Sequence, residues 1–116
     1  MEQHDVQNFF KDFMKANQKI AKHIPDTVKS FMALHEKTTQ PDALDKKQKE
    51  LIALGIAVAT HCTACIYIHT QAAVQAGATA KEVLEAASVA VLMAGGPAFA
   101  QIQEILKTFD ALGVKY

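Results

Sequence analysis

Apolar residues recur along this chain at helical spacing over most of its length. Val6, Phe9, Phe10, Phe13 and Met14 fall at i, i+3, i+4, i+7 and i+8, with Ile20 beyond them. That spacing predicts one apolar stripe on a helix over residues 5–22. Pro25 stops this helix and suits the first turn of the next. The second helix, over residues 25–37, carries Val28, Phe31, Met32 and His35 on one side. Residues 38–42, with Pro41, read as a loop. Asp45 followed three residues later by Gln48 is a variant capping box, and it opens a third helix running to about Thr60. The first turn of that helix is charged, but residues 51–59 are apolar on every face. A strand is the alternative for such a run. The Ala and Leu content and the capped start favour helix, and a helix with no polar face is expected to be buried.

Thr60 and His61 break the regularity. A fourth helix is predicted over residues 62–76, ended by Gly77. Thr79 and Glu82 form a Thr-x-x-Glu capping box for a fifth helix over residues 80–94. Gly95, Gly96 and Pro97 interrupt the chain. A last helix over residues 97–112 presents Phe99, Ile102, Ile105, Leu106 and Phe109 as its apolar face, and Gly113 closes it. The alanines of the third to fifth helices allow close backbone approach. No repeat or low-complexity tract appears. The expectation is all-α: residues 1–116 as one domain of about six helices.

Charge narrows the partners. The chain has 12 Lys+Arg and 12 Asp+Glu among 116 residues. A zero net charge argues against nucleic acid, which demands a basic surface. It also does little to keep copies apart, so self-association is expected. The start, Met1 to Asp5, is polar and acidic, which does not read as a secretory signal. The longest apolar run is far short of the roughly 20 residues that span a bilayer. No membrane partner is expected, and the expected location is the cytoplasm. There a cysteine pair is more often catalytic or metal-binding than a static staple.

The two cysteines of the chain stand three apart, in His61-Cys62-Thr63-Ala64-Cys65-Ile66-Tyr67-Ile68-His69. A thiol reacts as its thiolate and needs help to ionise near neutral pH. Cys62 would sit at a helix start, where unpaired N–H groups favour an anion. His69 follows Cys65 by four residues, on the same helix face, where imidazole can accept the thiol proton. Glu50 precedes Cys62 by twelve residues, directly before the apolar run. A carboxyl buried there would hold or pass protons rather than stand as a solvated charge. Whether Glu50 reaches His69 depends on how two helices pack.

Bland readings stand beside these. The cysteines could be buried small hydrophobes, His69 a satisfied core histidine, and Glu50 a solvated carboxylate at a helix start. Cys62, Cys65 and His69 could supply three metal ligands with His61 a poor fourth. The lack of a second Cys pair or His pair speaks against a closed zinc site, so no metal and no cofactor is expected. His23 and His35 read as ordinary helix-end and helix-face residues. Tyr67 is expected to pack on a face away from Cys65.

The full pattern, Glu-x11-Cys-x2-Cys-x3-His, resembles the alkylhydroperoxidase D-like branch of the carboxymuconolactone decarboxylase family. The likeness extends over residues 44–54 before the motif, residues 72–83 after it, and the Gly95-Gly96-Pro97-Ala98 turn; it covers about residue 25 to the end. It implies an all-helical protomer assembled as a trimer or a trimer of dimers. It also implies a redox role for Cys62 and Cys65, and proton-relay roles for His69 and Glu50. The decarboxylase branch lacks the cysteine pair, so the redox branch is the one resembled. One position departs. Peroxide-reducing members can carry a histidine between the cysteines, where this chain has Ala64.

The function implied is a peroxidase-type dithiol oxidoreductase acting on organic hydroperoxides, recharged by a dithiol such as a lipoyl group or a thioredoxin-like protein. The helix-start argument favours Cys62 as the attacking thiol. The i+4 histidine and the resemblance favour Cys65. A disulfide reductase, a non-catalytic redox-switch oligomer and a lactone-processing enzyme are the alternatives. The Glu50 and His69 pair speaks against a passive switch, and the cysteine pair against the last.

Overall fold

The computed structural model describes residues 3–116, with side chains from Asp5 onward. Met1 and Glu2, which open the polar start read above, lie outside the described residues. Six helices follow in order: α1 (Gln3–His23), α2 (Pro25–Thr39), α3 (Lys46–Ala59), α4 (Thr63–Gln75), α5 (Ala80–Ala94) and α6 (Gly96–Leu112). The described residues contain no strand. None of these helices is long and apolar enough to cross a membrane.

The caps read from the sequence fix two of the starts. Asp45 Oδ1 accepts from the Gln48 N–H at 2.7 Å, and Gln48 Oε1 accepts from the Asp45 N–H at 2.9 Å. At α5, Thr79 Oγ1 accepts from the Glu82 N–H at 3.1 Å, while Glu82 Oε1 accepts from the Thr79 N–H at 2.9 Å. Each closes two backbone donors that a helix start leaves open. Glu82 also holds Lys47 at 2.8 Å, which ties the start of α5 to that of α3. Helix α2 runs two residues past its expected end, and the Thr39 hydroxyl donates back to the His35 carbonyl at 2.9 Å. Gly95, at φ 73°, turns the chain so that α6 begins at Gly96.

Helices α3, α4, α5 and α6 pack around Leu54, Val58, Ile66, Val83, Ile105 and Phe109, all fully buried. Ala57, Ala73, Ala87, Ala90 and Ala98 fill the places where backbones come close. Helix α1 lies against α2 and α6 and inserts Val6 completely.

One expectation needs correction. The apolar run of α3 is not enclosed, since Ile52 and Ile56 are 51% and 60% exposed. Other apolar faces are open too. Phe99 on α6 is 67% exposed, with Ala98 in the core beside it. The stripe of α1 is covered at Val6 but not at Met14, and α2 buries no residue at all. The reason is common to these faces. Apolar side chains here outnumber the positions that one chain can cover. The accessible surface is 7358 Å², against about 6,200 Å² for a compact monomer of this mass. The radius of gyration is 14.4 Å, against about 13.4 Å for a compact chain of this length.

Tyr67 packs as expected, at 1% exposure. Its hydroxyl donates to Glu104 Oε2 at 2.8 Å, and its ring meets Phe9 edge-on at 5.3 Å. Burial, and then the Glu104 bond, hold its phenol well above the ordinary tyrosine range. Tyr67→Phe removes a hydrogen bond to a carboxylate, a loss of about 1.5–3 kcal/mol in urea denaturation. Because the folded-state pKa is raised, the contribution is fully present at neutral pH. The gap between wild type and variant should shrink as pH climbs above about 10, where the unfolded phenol ionises.

Candidate functional site

The site begins at the turn between α3 and α4. The Thr60 N–H donates to the Ile56 carbonyl at 2.9 Å, and the Cys62 N–H to the Ala57 carbonyl at 3.0 Å. Between them His61 takes a left-handed conformation, φ 57°, which reverses the chain; its side chain is exposed. So short a connection lays α4 back along α3.

Cys62 is the N-cap of α4, and its Sγ accepts from the Cys65 N–H at 3.3 Å. Cys62 and Cys65 form a disulfide, with Cα atoms 5.2 Å apart. Both are half-buried, and Cys65 also packs against the core cluster. The helix start therefore offers its N–H groups to Cys62, as the sequence suggested, and its inner side to Cys65.

His69 lies one helical turn beyond Cys65. Because α3 and α4 run back to back, the first turn of α3 comes level with it. His69 Nδ1 and Glu50 Oε1 are 2.7 Å apart. Glu50 is 1% exposed, and its Oε2 has no hydrogen-bond partner in the protein. The solvated reading of Glu50 is thus replaced by a buried one. With Nδ1 donating to the carboxylate, the imidazole keeps a basic Nε2 and a fixed ring orientation. Carboxylate and imidazole thus meet across the α3–α4 hairpin, one helical turn along α4 from Cys65.

A cavity of about 570 Å³ opens beside His69, between α2 and α3. Phe31, Leu34, Ile52 and Ile56 give it apolar walls, and His35 and Lys49 add polar groups. Read from the sequence as a helix-face residue, His35 brings its ring to 6.1 Å from that of His69. One ligating atom each from His35, Glu50 and His69 lie within 4.8 Å of one another. The donors the sequence offers, Cys62 and Cys65 with His69, do not form such a set, because the two cysteines are tied to each other. The hint in the sequence was a histidine on the apolar side of α2, in line with Val28 and Phe31. His23, the last residue of α1, is exposed.

Comparison with known proteins places the chain by family and fold. Residues 25–108 match the model of the carboxymuconolactone decarboxylase family. A curated relative from Paracoccus denitrificans, "Uncharacterized protein 4 in cox locus", is 37% identical over 83 residues, spanning 72% of this chain and 75% of its own. The crystal structure of a carboxymuconolactone decarboxylase family protein from Legionella pneumophila superposes with a TM-score of 0.86 at 39% identity, covering 91% of this chain and 95% of that one. Another family member, from Thermotoga maritima and named in connection with an antioxidative response, gives 0.81 at 26% identity over 91% and 90%. On its sequence, its six-helix fold and its Cys62–Cys65 pair, the chain belongs to the carboxymuconolactone decarboxylase family and is consistent with the family's alkylhydroperoxidase D-like branch.

Proposed function

We propose that the protein is a dithiol oxidoreductase that reduces organic hydroperoxides. The observation that carries this reading is a Cys62–Cys65 disulfide sharing helix α4 with His69, which is itself hydrogen-bonded to the buried Glu50. A passive clip needs no base; a thiol that must ionise and a leaving alkoxide that must be protonated both do. The Thermotoga relative's antioxidative association points the same way.

In the reduced protein, His69 takes the Cys65 proton while Glu50 steadies the imidazolium. The Cys65 thiolate attacks the terminal oxygen of the hydroperoxide. The O–O bond breaks, His69 returns its proton to the leaving alkoxide, and an alcohol and a Cys65 sulfenic acid result. Cys62, its thiolate favoured by the first N–H groups of α4, attacks the sulfenic sulfur and expels water as the disulfide forms. An external dithiol, a lipoyl group or a thioredoxin-like protein, then attacks Cys62 and releases Cys65, becoming oxidised itself. The apolar walls beside His69 suit an alkyl chain better than a bare peroxide. Consumption of cumene hydroperoxide and of hydrogen peroxide, each with dihydrolipoamide as reductant, tests this. Faster turnover of the organic peroxide is expected. If neither peroxide is consumed while small disulfides are reduced, the protein is a disulfide reductase, a reading that Ala64 between the cysteines favours.

The uncovered apolar face points to assembly with further copies of this chain, as a trimer or hexamer. Leu92 and Met93 are each 80% exposed, Met93 lines an apolar groove with Ile56 and Val89, and the excess surface noted above is larger than the roughly 800 Å² that one standard contact removes from each partner. Replacing both with Asp (Leu92→Asp, Met93→Asp) should weaken association by more than about 100-fold, since a buried unpaired charge costs several kcal/mol. Light scattering on size-exclusion fractions reads this out. A wild type that is already monomeric at micromolar concentration would refute the assembly.

A further inference from the structure

The proton relay leaves two capacities unused. Glu50 Oε2 is a carboxylate oxygen on a side chain 1% exposed, with no hydrogen-bond partner in the protein. A buried polar atom of this kind is costly unless something satisfies it. His35 is the second. It comes from α2, a helix with no buried residue, yet its ring faces the Glu50–His69 pair at 6.1 Å from His69.

We infer that His35, Glu50 and His69 form a binding site for a divalent transition-metal ion of the zinc, cobalt or iron(II) kind. Each residue offers one donor atom, and the three lie within 4.8 Å of one another. Donors held about 2.1 Å from one tetrahedral ion stand about 3.4 Å apart. The site must therefore close by about 1 Å or more at its widest separation. His35 is exposed and has the rotamer freedom to do so, whereas Glu50 is packed in place. Two imidazoles and one carboxylate suit Zn²⁺, Co²⁺ or Fe²⁺ and leave coordination positions open. Calcium and magnesium, which take oxygen donors, are not matched. The donors come from α2, α3 and α4, so an ion would clip the loosely held α2 to the hairpin. The same imidazole and carboxylate serve the proposed relay, so metal binding and relay exclude each other; only this exclusion rests on the dithiol reading.

The test uses the full chain in its disulfide form, stripped with a chelator, so that no thiol competes. Cobalt(II) is titrated in while its visible absorption is followed, and zinc is titrated by calorimetry. One ion per chain is expected, without a thiolate charge-transfer band, together with a rise in Tm on zinc addition. His35→Ala, at an exposed position where folding is not at risk, should lower the affinity at least about 100-fold and abolish the Tm rise. Glu50→Gln should also weaken binding. No saturable binding below millimolar metal would overturn the site, as would binding unchanged in His35→Ala. Neither outcome bears on peroxide turnover, and a protein without turnover could still bind the ion.

Discussion

Cys65→Ser and Cys62→Ser should each reduce hydroperoxide turnover to the background rate. The two losses are expected for different reasons, and trapping separates them. Serine at position 65 removes the sulfur that attacks oxygen, and a hydroxyl with its much higher pKa does not replace a thiolate. Serine at position 62 leaves the first attack intact but removes the resolving thiol. One equivalent of peroxide should then be consumed, and a Cys65 sulfenic acid should accumulate and be captured by a carbon nucleophile such as dimedone. Cys65→Ser should show no such adduct. If the adduct instead forms at Cys62 in the Cys65→Ser protein, the order of attack is reversed and the helix-start argument outweighs the histidine. The structure carries both arguments, since Cys62 Sγ accepts from the Cys65 N–H at the head of α4 while Cys65 lies one turn before His69.

His69→Phe and Glu50→Gln should each lower turnover by about 100- to 10,000-fold, the usual worth of a positioned acid–base group. Their effects on stability should differ. His69→Phe strips Glu50 of its imidazole partner inside the fold, and leaving the buried carboxyl without that hydrogen bond costs about 1.5–3 kcal/mol. Glu50→Gln keeps a hydrogen-bonding side chain of the same shape, with an oxygen that can still accept from His69, so its stability should stay close to wild type. An activity loss without a stability loss is the mark of a group held in place for chemistry rather than for folding. Urea denaturation beside the turnover assay reads both quantities. Glu50→Gln with wild-type turnover would remove the carboxylate from the mechanism.

The helices were legible because their signals are local. The Asp45 and Thr79 caps act within four residues, and Gly77, Gly95 and Gly113 end helices by backbone conformation. The cysteine pair was legible because three residues fit the span of one disulfide. Glu50 and His69 were candidates from residue type and family resemblance. Their 2.7 Å contact depends on α4 folding back along α3, which no spacing states. His35 reads as an ordinary helix-face residue because its place beside Val28 and Phe31 on the apolar side of α2 does not say what that side meets. Ile52 and Ile56 read as buried for the converse reason. Apolarity marks a side chain that needs cover, and it does not say whether the cover comes from the same chain.

A single turnover without any external reductant addresses the dithiol reading most directly. The protein is reduced, freed of reductant and mixed with a limiting amount of cumene hydroperoxide, after which thiols, hydroperoxide and cumyl alcohol are counted. The expected result is the loss of two thiols and the appearance of one cumyl alcohol for each hydroperoxide consumed, with Cys62 and Cys65 recovered as the disulfide. A thiol count that stays unchanged while the hydroperoxide persists would contradict it.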